Sequence, residues 1–318
     1  MIESIKNFPK LFKQGKDEKV KIKKGYGKVE NIIVAAMGAS AIPSEFLKEA
    51  IFLNIPFEVS KKYDLPNYAD KNTLLFCISR SGNTKETINQ LRQGIKRKCK
   101  IITIACEGEV EKIAKKENIP FFKLPATFKE KQTRETFPFL TSLLMKIFKE
   151  IELIKKIPSI NKIEKEIKEI EKEAKVFSKK TEKGFPLICC QYSSISFRWE
   201  SQLSENSKKL SESLALPELV HNEAEAWQKI NKNYLLIILR DKKERKELSA
   251  QIEGFKKLVK NKTRILELKA KGNNKIERML YLILFGDFVS YFLSQTRKVN
   301  PDVNNYISKI KKEVKKII

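Results

Sequence analysis

Histidine occurs once in this chain of 318 residues, as His221, so a histidine-rich metal centre is impossible. The five cysteines, Cys77, Cys99, Cys106, Cys189 and Cys190, form no C-x-x-C pair, and Cys77, Cys189 and Cys190 fall in apolar runs. That pattern indicates reduced core thiols and neither a disulfide framework nor a zinc site. No continuous apolar run is long enough to span a membrane. The N-terminal stretch MIESIKNFPKLFKQGK has neither the apolar stretch nor the small-residue cleavage site of a secretory signal, which predicts a cytoplasmic protein. Neither G-x-G-x-x-G nor a P-loop lysine motif is present, which weakens a dinucleotide or nucleoside-triphosphate reading.

Positive charge, by contrast, is abundant: 65 Lys and Arg stand against 39 Asp and Glu, for a net +26. Such an excess raises the question of nucleic acid. Only ten of the basic residues are arginine, however, and the lysines are spread over the whole chain without a basic arm, a zinc finger or an RNA-recognition motif. Nucleic acid is therefore not expected as the partner. A positive field also speeds capture of an anionic metabolite, and Lys/Glu/Ile-rich composition fits a thermophilic proteome. The length exceeds one ordinary compact domain, and the 41% hydrophobic content suffices for two cores.

Apolar runs alternate with amphipathic ones. Residues 31–37 (NIIVAAM) stop at Gly38 before SAIPSEFLKEAIF, which reads as a helix, and residues 73–79 (TLLFCIS) end in RSGN before the helical TKETINQLRQGI. IITIA at 101–105 and PFFKLP at 120–125 are further strand candidates. Buried strands separated by helices predict a mainly parallel sheet covered on both faces. Residues 135–180 read as mainly helical, ending in a lysine/glutamate-rich stretch with isoleucine at helical spacing. A second alternating half follows: FPLICCQY, a helix from about Arg198, YLLIILR, a lysine-rich helix, RILELKA and a long apolar helix near 275–295. The expected organisation is an N-terminal domain over 1–150, a helical connector over 151–180 and a C-terminal domain over 181–318, each domain α/β and doubly wound.

One turn carries a chemical message. Ser79-Arg80-Ser81-Gly82-Asn83-Thr84 follows an apolar strand and opens a helix. Amides at a helix N-terminus carry partial positive charge and lack intrahelical partners, so they suit a phosphate. Ser79, Ser81 and Thr84 add hydroxyl donors, and Gly82 lets the backbone approach closely. Ordinary helix capping would explain one such hydroxyl; three with a glycine point to an anion.

This segment resembles the S-x-S-G-x-T motif of sugar isomerase (SIS) domains. The earlier turn Met37-Gly38-Ala39-Ser40-Ala41 is similar to the other ligand-facing loop of that family, usually glycine-richer; here Ala36, Ala39 and Ala41 replace glycines and Ser40 is kept. In the second half, RWESQLSENSKK and LPELVHNEAEAW resemble the N-E-N-x-K and P-E-L-x-H-N-E motifs of the bifunctional phosphoglucose/phosphomannose isomerases. With QTRETFPFL and a C-terminal helix after a proline, the likeness runs in order over about residues 30–318.

The resemblance implies two SIS-type domains with mainly parallel sheets, a homodimer, and an active site formed between domains and between chains. It assigns proton transfer through an enediol(ate) to Glu205, a role carboxylates fill when partly desolvated. It assigns ring opening to His221, supplied across the dimer interface, since imidazole can exchange a proton near neutrality. Arg134 falls on the arginine that stabilises the enediolate, where a permanent charge meets a developing oxyanion. Aligning Asn300-Pro301 with the family's D-P turn puts the ring-opening lysine at Lys311, with Lys309 and Lys312 as neighbouring registers. Ser40, Ser79, Ser81 and Thr84 fall on the phosphate-binding positions, with Gly38, Ala39 and Gly82 shaping the loops. The implied reaction interconverts glucose 6-phosphate and fructose 6-phosphate without metal or organic cofactor. Asn304 differs from both the small hydroxyl residue of dual-specificity members and the glutamine of glucose-specific ones, so mannose 6-phosphate is the less firmly implied substrate. Two alternatives share these features: a noncatalytic SIS module that binds a sugar phosphate as a regulatory ligand, and an isomerase of another sugar phosphate.

Overall fold

A computed structural model describes every residue except Lys23, Lys24 and Ile318, and the side chains of all but those and Lys311, Lys315 and Ile317. The chain forms two compact units, one of residues Asn7–Pro158 and one of Met1–Lys6 with Ser159–Ile318. The short helix α1 (Ile2–Lys6) belongs to the second of these.

The N-terminal unit comprises α2 (Phe8–Asp17), β1 (Asn31–Ala36), α3 (Ile42–Ala50), β2 (Phe57–Ser60), β3 (Thr73–Ile78), α4 (Lys85–Lys96), β4 (Lys100–Ala105), α5 (Glu109–Lys116), β5 (Phe121–Lys123) and α6 (Phe137–Glu150). Its five strands are all parallel, in the order β2-β1-β3-β4-β5. Strand β3 is buried along its whole length, as a parallel strand with helices on both faces must be. One face packs Ile33, Ala35, Leu75 and Cys77 against Leu91 of α4 and Val110 of α5. Helix α6, opened by Pro138 and almost wholly buried, packs against α2 and α3.

The C-terminal unit continues with α7 (Asn161–Thr181), β6 (Phe185–Cys190), α8 (Ser193–Ser207), β7 (Glu212–Ala215), β8 (Tyr234–Arg240), α9 (Lys246–Val259), β9 (Arg264–Lys269), α10 (Lys275–Thr296) and α11 (Asn305–Ile317). Its sheet is again parallel, ordered β7-β6-β8-β9. Alternate residues Leu187, Cys189, Leu236 and Ile238 face α9 and the segment carrying Leu219 and Trp227. Right-handed crossovers put α8 on the other face, where it packs on α10 and the β6 and β7 strands.

The paired α/β architecture is as expected from the sequence, with corrections at element level. Helix α8 begins at Ser193, not near Arg198, because Ser193 and Ser194 fit the helix start directly after the strand. The strands β2 (FEVS) and β7 (ESLA) were not expected; both are short edge strands, mostly half-exposed and without an apolar run. The helical stretch predicted over 135–180 is interrupted between α6 and α7. All five cysteines are free, and all but Cys99 are buried. Burial pushes the Cys77 and Cys189 thiols well up, and that of Cys99 to about 11, which keeps them protonated and unreactive near neutral pH. Among the described residues no helix is long and apolar enough to cross a membrane.

Candidate active site

The strand order of the N-terminal unit reverses between β1 and β3: the connection after β1 leads to β2 on one side, that after β3 to β4 on the other. Ligands of such sheets sit beyond the carboxyl ends of the strands at this point. Because Ala36 is in register with Ile78, the loops after β1 and β3 emerge side by side, and they are the two loops singled out in the sequence.

The loop after β3 is held by its own hydroxyls. Ser79, 2% exposed, has its Oγ 2.8 Å from Thr84 Oγ1, and the Gly82 amide donates to Ser79 Oγ at 3.1 Å. The Asn83 amide donates to Ser81 Oγ, and Asn83 Oδ1 accepts from the Glu109 amide at the start of α5. Thr84 occupies the N-cap position of α4, yet its side chain caps no helix amide; its hydroxyl is turned to Ser79 instead. The reading as routine capping therefore does not apply to Thr84. Gly82 has φ +69°, and an added Cβ would lie 1.6 Å from the Glu107 carbonyl oxygen, so no other residue fits there without backbone movement.

The loop after β1 is a 3₁₀ turn over Gly38–Ser40. Gly38 adopts φ +51°, Ala39 is half-buried, and Ser40 is buried. This turn packs against a second 3₁₀ turn, Thr133–Thr136, which leads into α6 and carries Arg134. Arg134 is 4% exposed, and its turn is braced by the Gln132 amide donating to Glu135 Oε1 at 2.8 Å. Thus the structure gathers Ser40, the Ser79–Thr84 loop and the Arg134 turn at one end of one sheet.

Arg80 occupies the variable position of the S-x-S-G-x-T pattern. Its Nε donates to Thr133 Oγ1 at 2.8 Å and its Nη1 to the carbonyls of Phe128 and Lys129, each at 2.9 Å. No local pattern announces these partners, because they lie 48 to 53 residues away.

Glu205 stands in the last turn of α8 in the C-terminal unit, half-buried. The helix is fixed on α10 on either side of it. Arg198 makes two bonds to Asp287, Nε to Oδ1 at 3.1 Å and Nη2 to Oδ2 at 2.7 Å. Trp199 Nε1 donates to the Leu282 carbonyl, and Asn206 Nδ2 to Ser290 Oγ at 2.8 Å. Gly286 makes this approach possible: a Cβ there would lie 2.4 Å from Trp199 Nε1. Removing one partner of a buried pair such as Arg198–Asp287 costs about 3–5 kcal/mol, so the helix bearing Glu205 is rigidly held.

The Glu205 carboxylate faces a cleft of about 670 Å³ lined also by Lys208, Val299 and Val303–Ile307. Asn304 Nδ2 donates to Glu205 Oε2 at 3.1 Å, and Lys208 Nζ donates to the carbonyls of Glu205 and Val303. Asn304, marked in the sequence as a departure from the family pattern, therefore touches the Glu205 carboxylate directly. Lys311 lies within α11, and its side chain is outside the described residues.

His221 is exposed and follows a 3₁₀ turn, Glu218–Val220, after β7. Helix α8 descends from the carboxyl end of β6, so Glu205 lies about 18 Å along its axis toward the amino end of the sheet. His221 lies beyond the carboxyl end of β7, in the segment packed on the α9 face. Within one chain the two residues thus occupy opposite faces and opposite ends of one sheet.

The switch point of the second sheet, between β6 and β8, is filled differently. Tyr192 donates to Asp241 Oδ2 at 2.9 Å, and Arg278 donates to both Asp241 oxygens at 2.5 and 3.2 Å. Burial works to raise the Asp241 carboxyl, but donors from Arg278, the Lys243 amide and Tyr192 outweigh it and hold it below the usual carboxylate range. Arg278 and Tyr192 are thus engaged with Asp241, and Lys275 stands over the Tyr192 ring at 5.4 Å, whereas the hydroxyl-lined turn lies on the N-terminal sheet. Among the described residues no group of three or more His, Cys, Asp and Glu could hold a metal ion.

Comparison with known proteins finds a family model for part of each unit. The family model of the SIS domain matches residues 26–119, and that of the bacterial phospho-glucose isomerase C-terminal SIS domain matches residues 170–314. The chain is 29% identical over 303 residues to a bifunctional phosphoglucose/phosphomannose isomerase of Aquifex aeolicus, covering 90% of this chain and 91% of that protein. It is 26% identical to the enzyme of the same name from Thermoplasma acidophilum, covering 91% of each chain. In fold it is similar to a glucosamine-6-phosphate deaminase from Thermotoga maritima, with a TM-score of 0.68 at 15% identity, over 95% of this chain and 96% of that one.

Proposed function

Because the chain belongs to the bifunctional phosphoglucose/phosphomannose isomerase family, we propose that it interconverts glucose 6-phosphate and fructose 6-phosphate, and also accepts mannose 6-phosphate. The observation that carries the substrate half of this reading is the Ser79–Thr84 loop: a hydroxyl-lined turn at the switch point of its sheet, opening a helix whose N-cap side chain leaves the first-turn amides available. Such an end binds a phosphate.

The chemistry follows from the remaining residues. Glu205 takes the proton from C2 of the open-chain aldose. The C–H electron pair becomes the C1=C2 bond, and O1 gains negative charge that the Arg134 guanidinium stabilises. The same carboxyl returns the proton at C1 while the O2 proton passes to O1, which leaves a ketone at C2. Cyclic substrate must first open, and we assign that step to His221 and Lys311. The separation of Glu205 and His221 within one chain supports a homodimer in which His221 comes from the second copy. Asn304, donating to Glu205, is the residue that would tune the choice between epimers at C2. The reaction needs no cofactor in this scheme, and reduced thiols fit a cytoplasmic enzyme.

A substrate panel tests the reading. Purified protein should produce fructose 6-phosphate from glucose 6-phosphate in a coupled assay, and from mannose 6-phosphate more slowly. Turnover of only an amino-sugar phosphate would favour an isomerase of another substrate. Binding of all three without turnover would favour the regulatory module.

A further inference from the structure

We infer that Arg80 is a positioning residue that fixes the Arg134 turn to the phosphate loop; the inference rests on the isomerase reading for its kinetic meaning. Arg80 sits between the two serines of the loop, and its own carbonyl accepts from the Cys106 amide at 2.9 Å. Its backbone is therefore part of the phosphate-binding turn while its side chain leaves that turn altogether. The guanidinium spans to three acceptors, Thr133 Oγ1 and the carbonyls of Phe128 and Lys129. Phe128 is itself anchored, 1% exposed and edge-on to the Phe139 ring of α6 at 5.2 Å. Thr133 is the residue before Arg134 and the first of its 3₁₀ turn.

The geometry makes a rigid brace. A guanidinium presents its donors in a fixed planar fork, so three bonds from one side chain set the distance and the tilt of the 128–133 segment relative to Ser79 and Ser81. The Gly38–Ser40 turn packs on the same 3₁₀ turn. A substrate held by its phosphate is thereby referred to the same frame as the cation that meets its enediolate. Lysine could reach one of the three acceptors but not hold the fork. Arg80 need not touch substrate: it acts through Arg134.

The test compares Arg80→Met, Arg80→Lys and wild type. Hydrogen exchange should show faster exchange over residues 126–136 in Arg80→Met, with β1, β3 and β4 unchanged and with partial protection restored in Arg80→Lys. Unaltered exchange over 126–136 would overturn the inference whatever the activity. In kinetics, Arg80→Met should lower kcat on the order of 10- to 100-fold, as a small misplacement of a reacting group does, while inhibition by inorganic phosphate stays within a few-fold of wild type. In an Arg134→Met background the further loss from Arg80→Met should nearly vanish, because the residue it positions is gone. Equal losses in both backgrounds, or a loss confined to phosphate affinity, would also overturn it. Wild type inert toward every sugar phosphate would instead defeat the isomerase reading, and the exchange result would still decide the brace.

Discussion

Glu205→Gln should lower kcat for glucose 6-phosphate on the order of 10²–10⁴-fold, the contribution typical of a positioned acid/base group, while KM changes little. Glutamine keeps the volume and an acceptor oxygen, so the bond from Asn304 and the packing of α8 on α10 can persist. What it loses is the capacity to take a proton from carbon. A fall in kcat and kcat/KM together, with KM held, marks an interaction that acts in the transition state. Binding of inorganic phosphate, which the proposal assigns to the N-terminal loop, should be unaffected. If Glu205→Gln retained wild-type kcat, the base would have to be another residue.

Two inactive chains should together recover activity. Glu205→Gln and His221→Ala would each be severely impaired as homodimers. If His221 serves the Glu205 of the other chain, a mixed dimer contains one site with both defects and one with neither. Random pairing makes half the dimers mixed, so about a quarter of wild-type activity should return after mixing and reassociation. Were both residues drawn from one chain, each site of a mixed dimer would carry a defect and nothing would return. The fold favours the first outcome, because the β7-β6-β8-β9 sheet lies between Glu205 and His221 within a single chain.

How much of this was legible in the sequence depended on whether the cause was local. Strands β1, β3, β6 and β8 are apolar runs whose burial can be read residue by residue, and the Ser79–Thr84 loop declares itself by three hydroxyls and a glycine in one turn. Gly82 needed no structure to be suspected; the structure adds the Glu107 carbonyl that excludes a side chain. The edge strands β2 and β7 escaped notice because pairing, not hydrophobicity, makes them strands. Arg80, and the bond from Asn304 to Glu205, escaped for a different reason. The partners are 48 to 53 and 99 residues distant; an arginine between two serines looks like any solvated residue until the fold brings its acceptors up, and the departure at Asn304 was legible but not the carboxylate it touches. Glu205 is intermediate: its spacing on α8 was legible, but the Arg198–Asp287 and Asn206–Ser290 contacts that steady it depend on α10, more than eighty residues later.

The most direct test is a crystal structure of the protein with fructose 6-phosphate. The phosphate should rest on the Ser79, Ser81 and Thr84 hydroxyls and the first amides of α4, with C1 and C2 about 3–3.5 Å from the Glu205 carboxylate, the distance reacting atoms require. A phosphate seated in that loop with Glu205 beyond reach of the sugar, or seated elsewhere in the molecule, would contradict the account.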